Sequence, residues 1–379
     1  MDTDLKSAIS AFLSNCEDHQ LFQLTSFYME RLEQAIEQGV EEVNFMLTHD
    51  HHFNEREYHS VTELAEKGNR AGASKLLLDL VMEKGSGARK VMWESFVKLH
   101  HHLPKLSRIL DEIRERDVRR KHMETLRAQT ETLRVNKILM REKVKVFQLV
   151  DRYAELTVIS TVRDRTLVEH ELRARGRDHE KWKEKGLRGK LEKIRTDQLF
   201  KKSLNIEKLK RSIFRNKSGM SAAVAGVPGI GKTTMVQKIV YDWATGKIYQ
   251  QFQFVFSFKF RDLNSINCRI NLKELILHQY PYFGNILGEV WKHSGGLLFI
   301  FDGLDEFKDK INFADGRRDT ESPYTDPEIK CNVSDIVYCL IQGKLLPGCS
   351  VLVNTRPTAL QLLEKANFSV WAEILGFIE

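Results

Sequence analysis

Apolar residues recur at helical spacing along roughly the first hundred residues of the chain. Leu21, Tyr28 and Leu32 share one face of a predicted helix. A later helix repeats this pattern and is followed by Gly85, which is placed to end it. Because short amphipathic helices must bury their apolar faces against one another, we predict a helical bundle over residues 1–113.

A charged stretch that is poor in glycine and proline follows, over residues 114–149. Its apolar residues lie at irregular helical intervals without a sustained heptad, which favours a long connecting helix or a pair of helices over a coiled coil. Residues 150–217 come next and include "DRYAELTVIS", whose β-branched residues predict ordered structure. They end in a basic stretch that we interpret as a solvated connector, with contact to phospholipid or acidic partners as the alternative.

From Ser218 onward, short strands alternate with helical segments. The most regular strand is "FQFVFSFKF", in which phenylalanine stands at every second position. The other predicted strands are "AAVAG", "LLFIF" and "SVLVN", and the predicted helices lie at "TTMVQKIVYDW", "LKELILHQY" and "SDIVYCLIQG". This alternation predicts an α/β fold for residues 218–379, with helices on both faces of a parallel sheet. In such sheets, ligands bind at the carboxyl ends of the strands.

Composition narrows the classes of function. Lysine and arginine number 59 against 52 aspartates and glutamates, a net charge of +7, and both signs are spread along the chain, which argues against nucleic acid as a partner. The five cysteines are an odd number without C-x-x-C spacing, so neither a disulfide framework nor a zinc site is predicted. No apolar run approaches the length of a transmembrane segment and the first residues do not form a signal peptide, so we expect a cytoplasmic protein.

The stretch "GVPGIGKTT" matches G-x-x-x-x-G-K-[ST] and lies between a predicted strand and a predicted helix. In this context the loop N–H groups and the first turn of the helix face the same anion, so the motif predicts a phosphate-binding loop. We expect Lys232 to bridge the β and γ phosphates and Thr233 to ligate Mg²⁺. The candidate nucleotide-binding residues are Gly226, Val227, Pro228, Gly229, Ile230, Gly231, Lys232, Thr233 and Thr234.

A second motif, "LLFIFDGLDEF", places three carboxylates directly after a buried strand. Asp302 is expected to reach the coordination shell of Mg²⁺, whose charge offsets the cost of burying an anion. A further acid would polarise water for attack on the γ phosphate, with Glu306 as the first candidate and Asp305 as the second. The alternative is an ordinary surface turn at the end of a hairpin, which the apolar run and the upstream phosphate loop argue against.

The third motif is "SVLVNTRP", in which a predicted strand ends in Asn354, Thr355 and Arg356. A cation at a strand end close to the phosphates is able to sense the γ phosphate. Because this is the next predicted strand after the acidic one, we select Arg356 as a candidate site residue.

Together, "GVPGIGKTT", "LLFIFDGLDEF" and "SVLVNTRPTAL" resemble the NACHT module of NOD-like receptors, which are signalling ATPases of the STAND class. The resemblance implies ATP and ADP as ligands with Mg²⁺, slow regulatory hydrolysis and self-oligomerisation through the NACHT module. It also makes Arg356 the sensor arginine. Residues 150–217 resemble the NACHT-associated segment (FISNA), and the resemblance implies that Tyr153 and Ala154 lie against adenine.

Residues 1–113 resemble a CARD, a death-fold bundle of about six helices, and a pyrin domain of the same broad fold is the alternative. Either one implies a homotypic death-fold adaptor or effector as partner. The chain stops at Glu379, whereas the family continues with a helical domain, a winged helix and usually leucine-rich repeats. We therefore expect either a fragment of a longer receptor or a short form.

The resulting hypothesis is an ATP-dependent signalling switch of the NOD-like receptor type, acting in innate immune or cell-death signalling. ATP would favour an oligomer that presents the N-terminal domain to an adaptor, and ADP would favour a closed state. Two other hypotheses are a turnover P-loop ATPase that acts on nucleic acid and a truncated adaptor or regulator with an inert NACHT module.

Overall fold

The computed structural model describes residues 2–135, 145–160, 193–200, 219–309, 311, 313, 324–363, 366 and 368–376. The chain divides into two compact units, Met1–Arg120 and Lys121–Glu379. The helices are α1 (Asp2–Asn15), α2 (Asp18–Ala35), α3 (Val40–His49), α4 (Glu55–Glu66), α5 (Arg70–Lys84), α6 (Ser86–Leu99), α7 (Pro104–Thr130), α8 (Leu149–Arg152), α9 (Lys232–Ala244), α10 (Phe260–Leu263), α11 (Leu272–Gln279), α12 (Leu287–Lys292), α13 (Val333–Ile341) and α14 (Leu360–Leu363). The strands are β1 (Thr132–Val135), β2 (Lys145–Gln148), β3 (Thr157–Ser160), β4 (Lys193–Ile194), β5 (Ser221–Ala225), β6 (Phe254–Lys259), β7 (Leu297–Asp302), β8 (Ser350–Thr355) and β9 (Val370–Gly376). Short 3₁₀ turns lie at His100–His102, Thr196–Gln198, Pro281–Ile286, Ser294–Gly296, Leu304–Glu306 and Pro357–Ala359.

The first unit is a helical bundle, as predicted from the periodicity of its apolar residues. Six helices, α1 to α6, bury one continuous apolar core, together with the first part of α7. Gly85 adopts a φ of 93° between α5 and α6, so it ends α5 as expected. In the core, Trp93 Nε1 donates a hydrogen bond to Thr25 Oγ1 at 2.9 Å. This architecture fits a death fold. Among the described helices, none combines the length and the apolar character that a membrane span requires.

Helix α7 is 27 residues long, begins in the first unit and has its last ten residues in the second. Within the described part of residues 114–149, α7 forms the expected helix as far as Thr130. Beyond it, β1 and β2 form an antiparallel pair, so the prediction of helix is wrong for these strands. Each strand is defined by its pairing with the other across residues 136–144, which the periodicity of a single segment does not reveal. Most of the predicted segment 150–217 lies outside the described residues.

The second unit contains a seven-stranded sheet in the order β4-β3-β9-β5-β8-β7-β6. The strands from β9 to β6 are all parallel, whereas β3 runs antiparallel to both of its neighbours. Strands β5, β7 and β8 are buried along their whole length, as expected for a sheet that helices cover. Strand β8 lies between β5 and β7, so the ends of these three strands are adjacent at one edge of the sheet.

Candidate functional site

The phosphate-loop motif forms the connection between β5 and α9. Gly229 and Gly231 adopt φ angles of 78° and 105°, which favour glycine over residues with a side chain. At Gly226 a Cβ atom would lie only 2.9 Å from Cγ2 of Ile230. The glycines of the motif therefore allow the tight turn that brings the backbone N–H groups and the first turn of α9 together.

The Lys232 side chain folds back over this loop. Its Nζ donates hydrogen bonds to the carbonyl oxygens of Gly226, at 2.7 Å, and Val227, at 3.1 Å. Lys232 is the first residue of α9, and its ammonium group is held at the loop. The helix dipole and the lysine charge therefore both favour an anion at this position.

The two predicted magnesium ligands lie in contact. Thr233 Oγ1 donates to Asp302 Oδ1 at 3.2 Å, although the two residues come from α9 and from the end of β7. Asp302 is 7% exposed, so its carboxylate is nearly buried. This arrangement fits Mg²⁺, which commonly takes one or two protein oxygen ligands together with phosphate oxygens and water. Among the described residues, no group of three or more His, Cys, Asp or Glu side chains is placed to hold a metal ion.

Asn354 is a site residue to which sequence reasoning assigned no role. It is fully buried at the carboxyl end of β8, and its Nδ2 donates to Asp302 Oδ1 at 2.5 Å. Its Oδ1 accepts from the N–H of Gly303 at 2.5 Å. The Asn354 amide thereby holds both the Asp302 carboxylate and Gly303, the residue before the turn Leu304–Glu306, which we call the acidic turn. The only signal in the sequence was the position of Asn354 at a strand end.

The acidic turn places its two remaining carboxylates differently. Asp305 Oδ2 lies 2.6 Å from Nε of Arg356, and the Asp305 side chain is 11% exposed. Glu306 is exposed, and its carbonyl oxygen accepts a hydrogen bond from Asn264 Nδ2 at 2.8 Å. Gly303, with a φ of 81°, allows the chain to turn directly after β7. The structure thus brings Arg356 to Asp305.

Tyr153 and Ala154 follow α8 directly. The Lys238 ammonium of α9 lies 5.4 Å from the centroid of the Tyr153 ring, and burial raises the pKa of the Tyr153 hydroxyl to about 12. Ala154 is exposed. A Cβ atom at Gly231 would lie 3.3 Å from Leu156 Cδ1, so this segment passes close to the phosphate loop.

A cavity of about 730 Å³ borders the predicted magnesium ligands, and we refer to it as the Asp302 cavity. Thr233, Thr234 and Asp302 line one part of it. The end of α7 and the first residues of β1 line another part. Space therefore extends from the carboxyl edge of the sheet along one side of α9.

Comparisons with known proteins agree with this site. The NACHT domain family matches residues 221–379, a range that contains the phosphate loop, Asp302 and Arg356. NACHT, LRR and PYD domains-containing protein 12 of Homo sapiens is 34% identical over 162 residues, which are 42% of this chain and 15% of that protein. Nucleotide-binding oligomerization domain-containing protein 2 of Bos taurus is 28% identical over 168 residues, 43% of this chain and 16% of that protein.

A longer match includes residues outside the NACHT domain. NACHT, LRR and PYD domains-containing protein 3 of Bos taurus is 29% identical over 278 residues, which are 72% of this chain and 25% of that protein. The chain thus spans a quarter or less of the length of these three relatives. Residues 221–379 are therefore a NACHT domain with a P-loop NTPase fold, and this domain together with these relatives supports a NACHT protein of the NOD-like receptor type.

Proposed function

We propose that the protein is an ATP-dependent signalling switch, in which the nucleotide controls self-association through the NACHT domain. The observation that carries this proposal is the convergence of Lys232, Thr233 and Asp302 at one edge of the sheet, supported by the hydrogen bond between Thr233 and Asp302. In this reading ATP favours the oligomer and ADP the closed state, and hydrolysis is slow and resets the switch.

The site residues then have separate roles. Lys232 contacts the β and γ phosphates, and Thr233 and Asp302 hold Mg²⁺, which supplies positive charge to the phosphate oxygens when it is bound. Because Asp305 is engaged by Arg356, Glu306 remains our first candidate for the base that orients water, and Asp305 the second. Arg356 senses the γ phosphate.

We assign the adenine contact to Tyr153 and Ala154. Support for this assignment comes from Leu156, which is close to Gly231, and from the Tyr153 ring, which lies against Lys238 of α9. The adenine of a nucleotide held by the phosphate loop would then meet the segment that precedes β3.

The N-terminal unit is the signalling end of the proposed switch. We propose that residues 1–113 are a CARD, with a pyrin domain as the alternative, and that they recruit a homotypic death-fold adaptor or effector in the cytoplasm. Residues 114–149 then connect this domain to a NACHT-associated segment over residues 150–217, and residues 218–379 bind the nucleotide. The net charge of +7, with both signs spread along the chain, gives no reason to include nucleic acid as a partner.

The test is to purify the chain, denature it and identify any released nucleotide by mass spectrometry. Lys232→Ala and Lys292→Ala are treated in the same way, because Lys292 is an exposed lysine that pairs with Glu289. We expect ADP or ATP from the wild type and from Lys292→Ala but not from Lys232→Ala, together with loss of nucleotide-dependent self-association in Lys232→Ala. Unchanged nucleotide content and self-association in Lys232→Ala would show that the proposal is wrong.

A further inference from the structure

The C-terminal end of α7 is attached to the same helix that carries the predicted magnesium ligand Thr233. Gln237 lies one turn after Thr233 on α9, so the two side chains share a face of the helix. Gln237 Nε2 donates to the carbonyl oxygen of Thr130 at 3.0 Å and to that of Thr132 at 2.8 Å. The last carbonyls of a helix lack partners within the helix, so this one side chain satisfies the carbonyl that ends α7 and the one that begins β1.

A second attachment lies two turns earlier on α7. His122 Nε2 lies 2.7 Å from the carbonyl oxygen of Val255 on β6, and its Nδ1 lies 2.6 Å from the hydroxyl of Tyr282. The ring is fully buried among aromatic side chains. Eight residues, or about 12 Å of helix, separate this attachment from Thr130. The end of α7 is therefore held both at the edge strand of the sheet and at the phosphate-loop helix.

The Asp302 cavity connects this attachment to the site. Leu126, Thr130, Thr132 and Leu133 line it together with Thr233 and Asp302. Leu126 is 1% exposed, so the side of the cavity that residues 126–133 form is anchored in the core of the second unit. Any group bound at Thr233 and Asp302 therefore borders the same space as residues 126–133.

We propose that residues 126–133 form a wall on the magnesium side of the nucleotide site, and that Gln237 couples the docking of this wall to the binding of Mg²⁺ with a nucleoside triphosphate. Binding at Thr233 would order the first turns of α9 and hence Gln237, which then holds the wall more firmly. Coupling of this kind is reciprocal, so docking of the wall must raise the affinity for the metal–nucleotide complex by the same factor. This inference rests on the proposed function, because it adds a regulatory element to the same site.

The experiment is hydrogen exchange with mass spectrometry on the whole chain, with and without Mg²⁺ and the β,γ-imido analogue of ATP. The affinity for the analogue is measured by calorimetry on the same samples. In the wild type we expect exchange of the amides in residues 126–133 to slow by roughly fivefold or more on binding. In Gln237→Ala this slowing should disappear, and the affinity for the analogue with Mg²⁺ should fall by the same factor.

Gln250→Ala is the matched control. Gln250 also donates to two backbone carbonyls, those of Trp243 and Ile248, but it does not line the Asp302 cavity. This variant should behave as the wild type does. If Gln237→Ala is too unstable to fold, the near-isosteric Gln237→Glu replaces it, because its carboxylate oxygens repel the two carbonyls without changing the size of the side chain.

Two results overturn the inference while leaving the proposed function intact. One is a wild type that binds the analogue without any change of exchange in residues 126–133. The other is a Gln237→Ala protein that keeps the full slowing. A wild type for which calorimetry detects no binding overturns the proposed function and this inference together.

Discussion

Arg356 and Asp305, the predicted sensor and one of the two predicted bases, form an ion pair with 2.6 Å between Nε and Oδ2. Arg356 follows β8 and Asp305 lies in the turn after β7, and these strands are neighbours in the sheet. The arginine side chain is 46% exposed, so the pair contributes at most about 1 kcal/mol to the free energy of unfolding. Its main effect is on the orientation of the guanidinium.

Asp305→Asn should release Arg356 for contact with the γ phosphate. We expect the affinity for an ATP analogue relative to ADP to rise about tenfold, which corresponds to roughly one charge-assisted hydrogen bond. Titration calorimetry with both nucleotides measures this ratio. Asp309→Asn removes an exposed carboxylate from the same loop and should leave the ratio unchanged. An unchanged ratio in Asp305→Asn would mean that the ion pair does not restrain the sensor.

Asn354→Leu should weaken both the fold and the metal site. The substitution removes a buried amide that donates to Asp302 and accepts from Gly303, so the nearly buried Asp302 carboxylate and the Gly303 N–H both lose a hydrogen bond. We expect the free energy of unfolding of the second unit to fall by about 2 to 4 kcal/mol and Mg²⁺-dependent nucleotide affinity to fall as well. Urea unfolding and calorimetry measure the two effects.

Asn264→Ala is the control for this prediction. The Asn264 amide also bridges two backbone groups after β7, those of Glu306 and Lys308, but it does not touch Asp302. Asn264→Ala should lower the free energy of unfolding less than Asn354→Leu does, and it should leave the Mg²⁺ dependence of nucleotide affinity unchanged. Equal effects of the two variants on nucleotide affinity would contradict the role given to Asn354.

His122 should make the second unit less stable in acid. Because a carbonyl oxygen can only accept, Nε2 donates to Val255, and in the neutral ring Nδ1 accepts from the Tyr282 hydroxyl. Burial lowers the pKa of His122 from 6.5 to about 4. The unfolded chain therefore takes up the proton first, and the stabilisation is complete above pH 6.5 and is lost as the pH falls toward 4.

The expected loss from this one group is about 3 kcal/mol in the free energy of unfolding across that interval. Urea unfolding of the second unit at a series of pH values measures it. His122→Gln cannot titrate, so its stability should depend less on pH, whereas His101→Gln removes an exposed histidine and should follow the wild type. Parallel pH profiles for wild type and His122→Gln would refute the prediction.

Thr25→Val should destabilise the N-terminal unit. Thr25 and Trp93 are both fully buried, and the threonine hydroxyl accepts the indole N–H at 2.9 Å. Valine has nearly the same shape but no acceptor, so we expect a loss of about 1 to 3 kcal/mol for the unpaired N–H group. Thermal unfolding measures the change. Thr25→Ser retains the acceptor and should preserve the indole hydrogen bond, which the near-ultraviolet signal of Trp93 reports.

Local patterns in the sequence determined several strands of this protein and the position of its phosphate-loop motif. The alternating phenylalanines of β6 and the apolar runs of β7 and β8 identified strands, because a side-chain period of two is a property of each segment by itself. The proximity of Thr233 in the phosphate-loop motif to Asp302 was also predictable. Their chemistry depends on residues that are close in sequence and on the ends of parallel strands, which meet at one edge of the sheet.

Only the tertiary structure decided which side chains meet. Asn354 contacts Asp302 and Arg356 pairs with Asp305 because β8 lies beside β7, and strand order depends on contacts between distant segments. The attachment of Gln237 to Thr130 has the same origin. Local periodicity predicts the type of an element, but its partners follow from the packing of the whole unit, which no short stretch of sequence contains.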